Sequence, residues 1–216
     1  MAIKKKYELT DEVIMVDGRT LYRIRALRDF GSVRAGELGG FVEAEDNLSH
    51  EGNCWISDDA KVFDFAEVYE DARVYGYAMI YEDARIYGNA RVYGYAIVFG
   101  FARIYGYAQV YGEVMVYGLA RIYGYAQVYH DARVFGFARA HGHACIHGYA
   151  QVYGRAHICG FSQIYGSAHV FDDAVILDNA RINNKARIFY RSRVSSFEEI
   201  GGVRADIVPD EAISDD

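Results

Sequence analysis

From Cys54 to Phe197 the chain alternates small or β-branched residues with polar and aromatic ones in a six-residue frame that never slips. Ala72-Arg73-Val74-Tyr75-Gly76-Tyr77 states the phrase, and Ala84-Arg85-Ile86-Tyr87-Gly88-Asn89 and Ala90-Arg91-Val92-Tyr93-Gly94-Tyr95 repeat it. The 144 residues make 24 hexads without an insertion. Positions one and three carry Ala and then Val or Ile, with a mostly polar residue between them, which is the period-two pattern of a short strand with one buried face. Position five is usually Gly and sometimes Asp, Glu or Asn, residues that tolerate left-handed turn conformations. Each hexad therefore reads as a strand and a corner. Three hexads close a triangle, and the repeat predicts an all-β parallel β-helix, a triangular prism of about eight coils and roughly 38 Å in length at a strand spacing of about 4.8 Å. Alanine at the inward position suits a narrow bore.

The flanks are organised differently. Val13-Ile14-Met15-Val16 and Leu21-Tyr22-Arg23-Ile24 bracket Asp17-Gly18, a favoured hairpin turn. Gly36, Gly39, Gly40 and Gly52 make the segment up to residue 53 irregular. Residues 1–53 are expected to form an N-terminal cap over the open end of the stack, which otherwise offers unpaired backbone groups to other chains. Residues 54–197 form the repeat body. Residues 198–216 form an acidic tail holding the one proline, Pro209, with a short closing strand around Ile200–Ile207 and disorder beyond it.

The hexads resemble the left-handed parallel β-helix of the hexapeptide-repeat family. An aromatic follows the inward Val or Ile here, as in Val74-Tyr75-Gly76, where the usual family hexad has a small or acidic residue. The head segments Leu21-Tyr22-Arg23-Ile24-Arg25-Ala26-Leu27, Gly36-Glu37-Leu38-Gly39-Gly40-Phe41 and Asn47-Leu48-Ser49-His50-Glu51-Gly52-Asn53 are similar to a subgroup from bacteria and their phages that is often labelled acyltransferase. The resemblance implies a trimer or dimer. For an acyltransferase it implies acetyl-CoA along the prism and a histidine, His141 or His147, as general base. It also leads one to expect a loop interrupting the coils and a terminal helix, and this sequence is read as having neither.

Charge and composition narrow the partners. The net charge of −7 divides into −2 for residues 1–53, +1 for the hexads and −6 for the tail, so the repeat surface is free to meet an anion. No apolar run is long enough to span a membrane, and no signal-peptide core follows Met1–Lys6. Three cysteines fit free thiols in a reducing, cytoplasmic compartment. Neither a membrane nor duplex nucleic acid is expected as a partner.

Reading residue i against i+18 separates three faces. The first carries Phe63, Tyr81, Phe99, Tyr117, Phe135, Tyr153, Phe171 and Phe189 at position four, Met79, Ile97 and Met115 at position two, and Phe65, Phe101, Leu119 and Phe137 at the corner. So continuous an apolar stripe is expected to bury a homo-oligomer interface centred on Met79, Tyr81, Ile97, Phe99, Phe101, Met115, Tyr117 and Phe135, or to serve only as stacked rings that stabilise the corners. The second face carries Arg85, Arg103, Arg121 and Arg139 beside Tyr87, Tyr105, Tyr123 and His141. That pairing suits an anionic, nucleotide-like ligand through forked hydrogen bonds and stacking, or is a solvated face on which Arg packs over Tyr. The third carries Arg73, Arg91, Gln109 and Gln127 beside Tyr75, Tyr93, Tyr111, Tyr129 and His147, a structural ladder with glycan binding as a lesser alternative. His141, His157 and Cys159 lie close in register, but their spacing is no recognised zinc pattern and no metal is assigned. No cofactor is expected unless the chain transfers acyl groups from acetyl-CoA. The function expected from these faces is a non-catalytic oligomeric binding or scaffold protein that holds or sequesters an anionic ligand. The alternatives are a CoA-dependent acyltransferase and a purely structural scaffold.

Overall fold

The two-residue alternation becomes stacked rungs. The structure is a computed structural model and describes residues 5–195 and 199–201. Strands β1 (Tyr7–Val16) and β2 (Arg19–Ala26) form an antiparallel hairpin that pairs Val13 with Tyr22 and Ile14 with Leu21. Its turn residues Asp17 and Gly18 both have positive φ, 47° and 79°, the turn whose twist matches the flanking strands. Strand β3 (Leu38–Val42) lies antiparallel to β2 on one side and parallel to Lys61–Val62 on the other. The hairpin thus continues the first face of the prism, which is an 11-stranded sheet; the second and third faces have eight and nine strands.

Nine strands of the first face run parallel, from β3 to Arg187–Ile188, so the solenoid has about nine turns rather than the eight expected. The extra turn comes from β3 and from Leu48 bridging to Val68, which precede Trp55–Ile56 of the first hexad. The parallel ladder therefore starts at Phe41, within residues 1–53. The hexad pattern does not announce this turn, because glycines and a 3₁₀ turn at Glu45–Asn47 stand where Ala and Val stand later. At the other end Glu199–Ile200 pairs with Arg181–Ile182; the rest of the expected closing strand and the tail lie outside the described residues.

In most hexads three backbone amides donate to the next turn. Lys61 N reaches Ala78 O at 2.9 Å, Phe63 N reaches Ile80 O at 3.1 Å, and Tyr77 N reaches Gly94 O at 2.8 Å. Positions one and three point inward and are fully buried, as at Ala102, Ile104, Ala108 and Val110. Where serine takes position one its hydroxyl turns to the position-four carbonyl: Ser162 Oγ donates to Cys159 O at 2.7 Å and Ser192 Oγ to Phe189 O at 2.6 Å. The N-terminal mouth of the bore is closed by Tyr7, Phe30 and Trp55 around Lys6. The Lys6 ammonium donates to Cys54 O at 2.9 Å and lies 5.1 Å from the centroid of the Phe30 ring, and burial holds its pKa below the usual lysine value. Among the described residues no helix is long and apolar enough to cross a membrane.

Every described position-five residue has positive φ, from His130 and Asp172 to the long run of glycines. The acidic residues there use their side chains as well. Asp58 Oδ2 accepts from Gly76 N at 2.9 Å, and Glu70 Oε2 accepts from Gly88 N at 2.8 Å. A Cβ at Gly100 would sit 2.8 Å from Gly118 N. Gly100→Ala is accordingly expected to lower unfolding stability by about 1–3 kcal/mol, the usual cost of a left-handed residue with a side chain. Gly100→Asp is expected to lose less, since its carboxylate can accept the Gly118 amide. Urea unfolding of both variants checks the order.

Candidate anion-binding face

Parallel register brings the second-face arginines together as the 18-residue spacing requires. Arg85, Arg103, Arg121, Arg139 and His157 are successive strand partners, with Glu67 below Arg85. Arg85 Nη2 lies 3.5 Å from Glu67 Oε1. Among the described residues Arg103, Arg121 and Arg139 have no carboxylate within 4.0 Å. Neighbouring guanidiniums on adjacent strands repel by roughly 1–3 kcal/mol per pair, depending on how well water screens them. At the upper end of the ladder Arg139, Arg155 and His157 line a depression of about 220 Å³ walled by Phe137. Arg155 was not among the expected site residues. It stands at a corner position directly above Phe137, in a column read as apolar, and it lines the same depression as Arg139.

The tyrosines beside the arginines stack on each other. Ring centroids along Tyr69, Tyr87, Tyr105, Tyr123 and His141 are 4.7–4.9 Å apart, and the rings are within 12° of parallel. Their faces are filled by their own neighbours, so a ligand ring cannot stack between them. They offer ring edges and phenol hydroxyls instead, and burial raises the pKa values of Tyr87 and Tyr123, keeping both phenols protonated as donors. This changes the expected mode of contact from stacking to hydrogen bonding.

His141 ends that stack, and its Nε2 lies 2.7 Å from Nε2 of His157. One ring must donate its proton to the bare nitrogen of the other. Burial lowers the pKa of both, with each other's charge and that of Arg139 adding to the effect at His141, and Arg139 adding to it at His157. The contact runs diagonally between turns; the sequence places the two residues close in register, and the structure adds the direct ring-to-ring contact. Cys159 follows His141 in the ladder, and burial raises its thiol pKa. Among the described residues no group of three or more His, Cys, Asp or Glu is placed to hold a metal ion. His147 lies on the third face between Tyr129 and Tyr165, at 4.7 and 5.3 Å, so the two histidines proposed as alternative bases occupy different faces.

On the first face the rings from Phe63 to Phe189 form one unbroken stack with centroids 4.8–5.4 Å apart. The hairpin covers its lower end: Leu21, Phe41 and Phe63 form a buried cluster with Ile14, Val16, Met79 and Tyr81 packed against it, and Phe63 is 3% exposed. Above it, Met79, Ile97 and Met115 line an open groove of about 460 Å³ between Tyr77 and Tyr95 and the charged rim of Glu113, Asp131 and Arg133. Phe101 and Phe137 at the corner are each 57% exposed.

The family model described as "YdcK Beta solenoid repeat" matches residues 84–100, which span Arg85 and Tyr87 of the second face and Ile97 and Phe99 of the first. The chain folds as a β-solenoid on a six-residue frame, and the match is to a repeat of that architecture. It is also 40% identical over 62 residues to the "Uncharacterized acetyltransferase YdcK" of Escherichia coli (strain K12). That match covers 25% of this chain and 19% of the relative, so the chain spans about a fifth of the length of the curated relative it matches.

The depressed histidine pKa values set a pH dependence. The folded solenoid binds fewer protons than the unfolded chain below about pH 6.5, so stability is complete above that value and falls as the pH drops through it. His147 and His169, also lowered by burial, act in the same direction. The melting temperature is expected to fall between about pH 7.5 and about pH 5.5, and His157→Gln to flatten that dependence. Thermal unfolding followed by circular dichroism checks both.

Proposed function

We propose that this protein is a non-catalytic homo-oligomer that binds an anionic ligand of the nucleotide type along its second face. The observation that carries the reading is the guanidinium ladder, in which Arg103, Arg121 and Arg139 lack carboxylate partners among the described residues and lead to the Arg139, Arg155 and His157 depression. A chain of phosphates relieves the repulsion along the ladder and gains forked, charge-assisted hydrogen bonds from successive turns. The phenol hydroxyls of Tyr87 and Tyr123 stand beside it to donate to phosphate or ribose oxygens. Oligomerisation is assigned to the first face, where Met79, Ile97 and Met115 leave an apolar groove with a charged rim, the arrangement of a buried interface core and its border.

Acyl transfer is the second reading, supported by the His141–His157 pair and by the similarity to a protein named an acetyltransferase. In that reading the arginines hold the phosphates of acetyl-CoA. An acceptor hydroxyl or amine attacks the thioester carbonyl, the new C–O or C–N bond forms as the C–S bond breaks, and neutral His141 takes the acceptor's proton while the thiolate leaves.

Calorimetric titration with ADP, coenzyme A and adenosine tests the first reading. ADP and coenzyme A are expected to bind, adenosine not, and Arg103→Ala and Arg121→Ala each to weaken binding by about tenfold or more. Absence of binding, or affinity indifferent to both substitutions, removes it. Turnover of acetyl-CoA that His141→Ala abolishes would replace it with the second reading. Native mass spectrometry is expected to give a dimer or trimer, and Ile97→Glu with Met115→Glu to give the monomer.

A further inference from the structure

The corner between the second and third faces carries another feature. Position six there runs Asp71, Asn89, Tyr107, Tyr125, His143, Phe161, one turn apart. From Tyr107 upward these side chains are rings stacked at 5.0, 5.0 and 4.7 Å. Below Tyr107 the column drops to the short side chains of Asn89 and Asp71. The lower face of Tyr107 therefore looks into open space, and the residue is 53% exposed. The missing rings leave a groove of about 570 Å³, within the range of about 300–1,000 Å³ usual for small-ligand sites.

The walls are built from three sources. Position-two residues of the third face, Arg73, Arg91 and Gln109, form one side; Arg73 and Arg91 are direct strand partners. Among the described residues neither arginine has a carboxylate within 4.0 Å. Asp71 is already engaged, since its Oδ1 accepts from Asn53 N at 3.1 Å and from Asn53 Nδ2 at 2.8 Å. The floor is the cap loop at Gly31, where a Cβ would come 3.0 Å from Arg73 Nη2 and 3.2 Å from Asn53 Cβ. The loop backbone is thus seated against the guanidinium, with no room for a side chain pointing that way.

We propose that this groove binds an acidic saccharide. A pyranose lays its C–H face on the open face of Tyr107, whose negative π-surface attracts weakly positive C–H groups. Its carboxylate or phosphate is held by Arg73 and Arg91 through forked hydrogen bonds. The amides of Asn89 and Gln109 both donate and accept, as sugar hydroxyls do. A planar base is the poorer fit, because nucleobase sites gain most from aromatic rings and this cleft offers one ring face opposite short amides. The site shares no residue with the arginine ladder, so its fate and that of the second-face reading are separable.

The test is ligand-observed NMR on the full chain with glucuronate, glucose 6-phosphate, glucose and AMP as probes. At least one of the two charged hexoses is expected to bind about tenfold or more tightly than glucose, and the stronger of the two identifies the acidic group. Arg91→Gln and Tyr107→Ala are each expected to weaken that binding about tenfold, equivalent to about 1.4 kcal/mol. Tyr107→Phe, which keeps the ring face, and Arg103→Ala, on the other face, are expected to leave it unchanged. The proposal is overturned if neither charged hexose binds, if AMP competes from the groove with equal or greater affinity, or if Arg91→Gln has no effect while its melting curve matches that of the parent protein.

Discussion

Everything in this molecule depends on the hydrogen bonding of one backbone turn to the next. Once positions two, four and six each donate to the turn above, every side chain is held one strand spacing from its counterpart, about 4.8 Å away. That distance is a van der Waals contact for flat rings, a close approach for charges, and too little for a Cβ at a left-handed corner whose neighbour is also backbone. Stacked tyrosines, the repelling arginines and the glycine run at position five are three responses to the same spacing.

The interior responds in the simplest way. A bore this narrow accepts Ala and one Val or Ile per strand, and it excludes polar groups unless they can turn back on their own corner, as Ser162 and Ser192 do. Because the bore is uniform, it carries no information about ligands. The surface varies where a column changes character: where His141 ends a tyrosine stack and meets His157, where Arg155 rises above Phe137, and where Tyr107 stands above Asn89. In a repeat protein an interruption in a ladder is the equivalent of a pocket.

The ends are a separate problem with a separate solution. The hairpin continues the first face as additional strands, so the sheet edge is moved outward instead of being left at the first turn. Lys6 and Tyr7 then close the bore, the lysine with its charge directed at backbone carbonyl oxygen and an aromatic face. The same hairpin covers the lowest rings of the first face and so shortens the apolar stripe available to a second subunit.

Period, inward positions, corner residues and the three-face sorting were all legible in the sequence, because a strict six-residue frame maps linear spacing directly onto contact: residue i must lie beside i+18. Columns such as Arg85 to Arg139 follow from that arithmetic alone. Contacts off the columns did not. The direct Nε2 contact of His141 and His157, the depression shared by Arg155 and Arg139, the extra turn begun by β3 and the cap loop seated on Arg73 depend on how far long side chains reach and on where non-repeating chain packs. A repeat determines its own lattice; what breaks the lattice is decided by tertiary packing, because only there do residues without a common period come within contact distance.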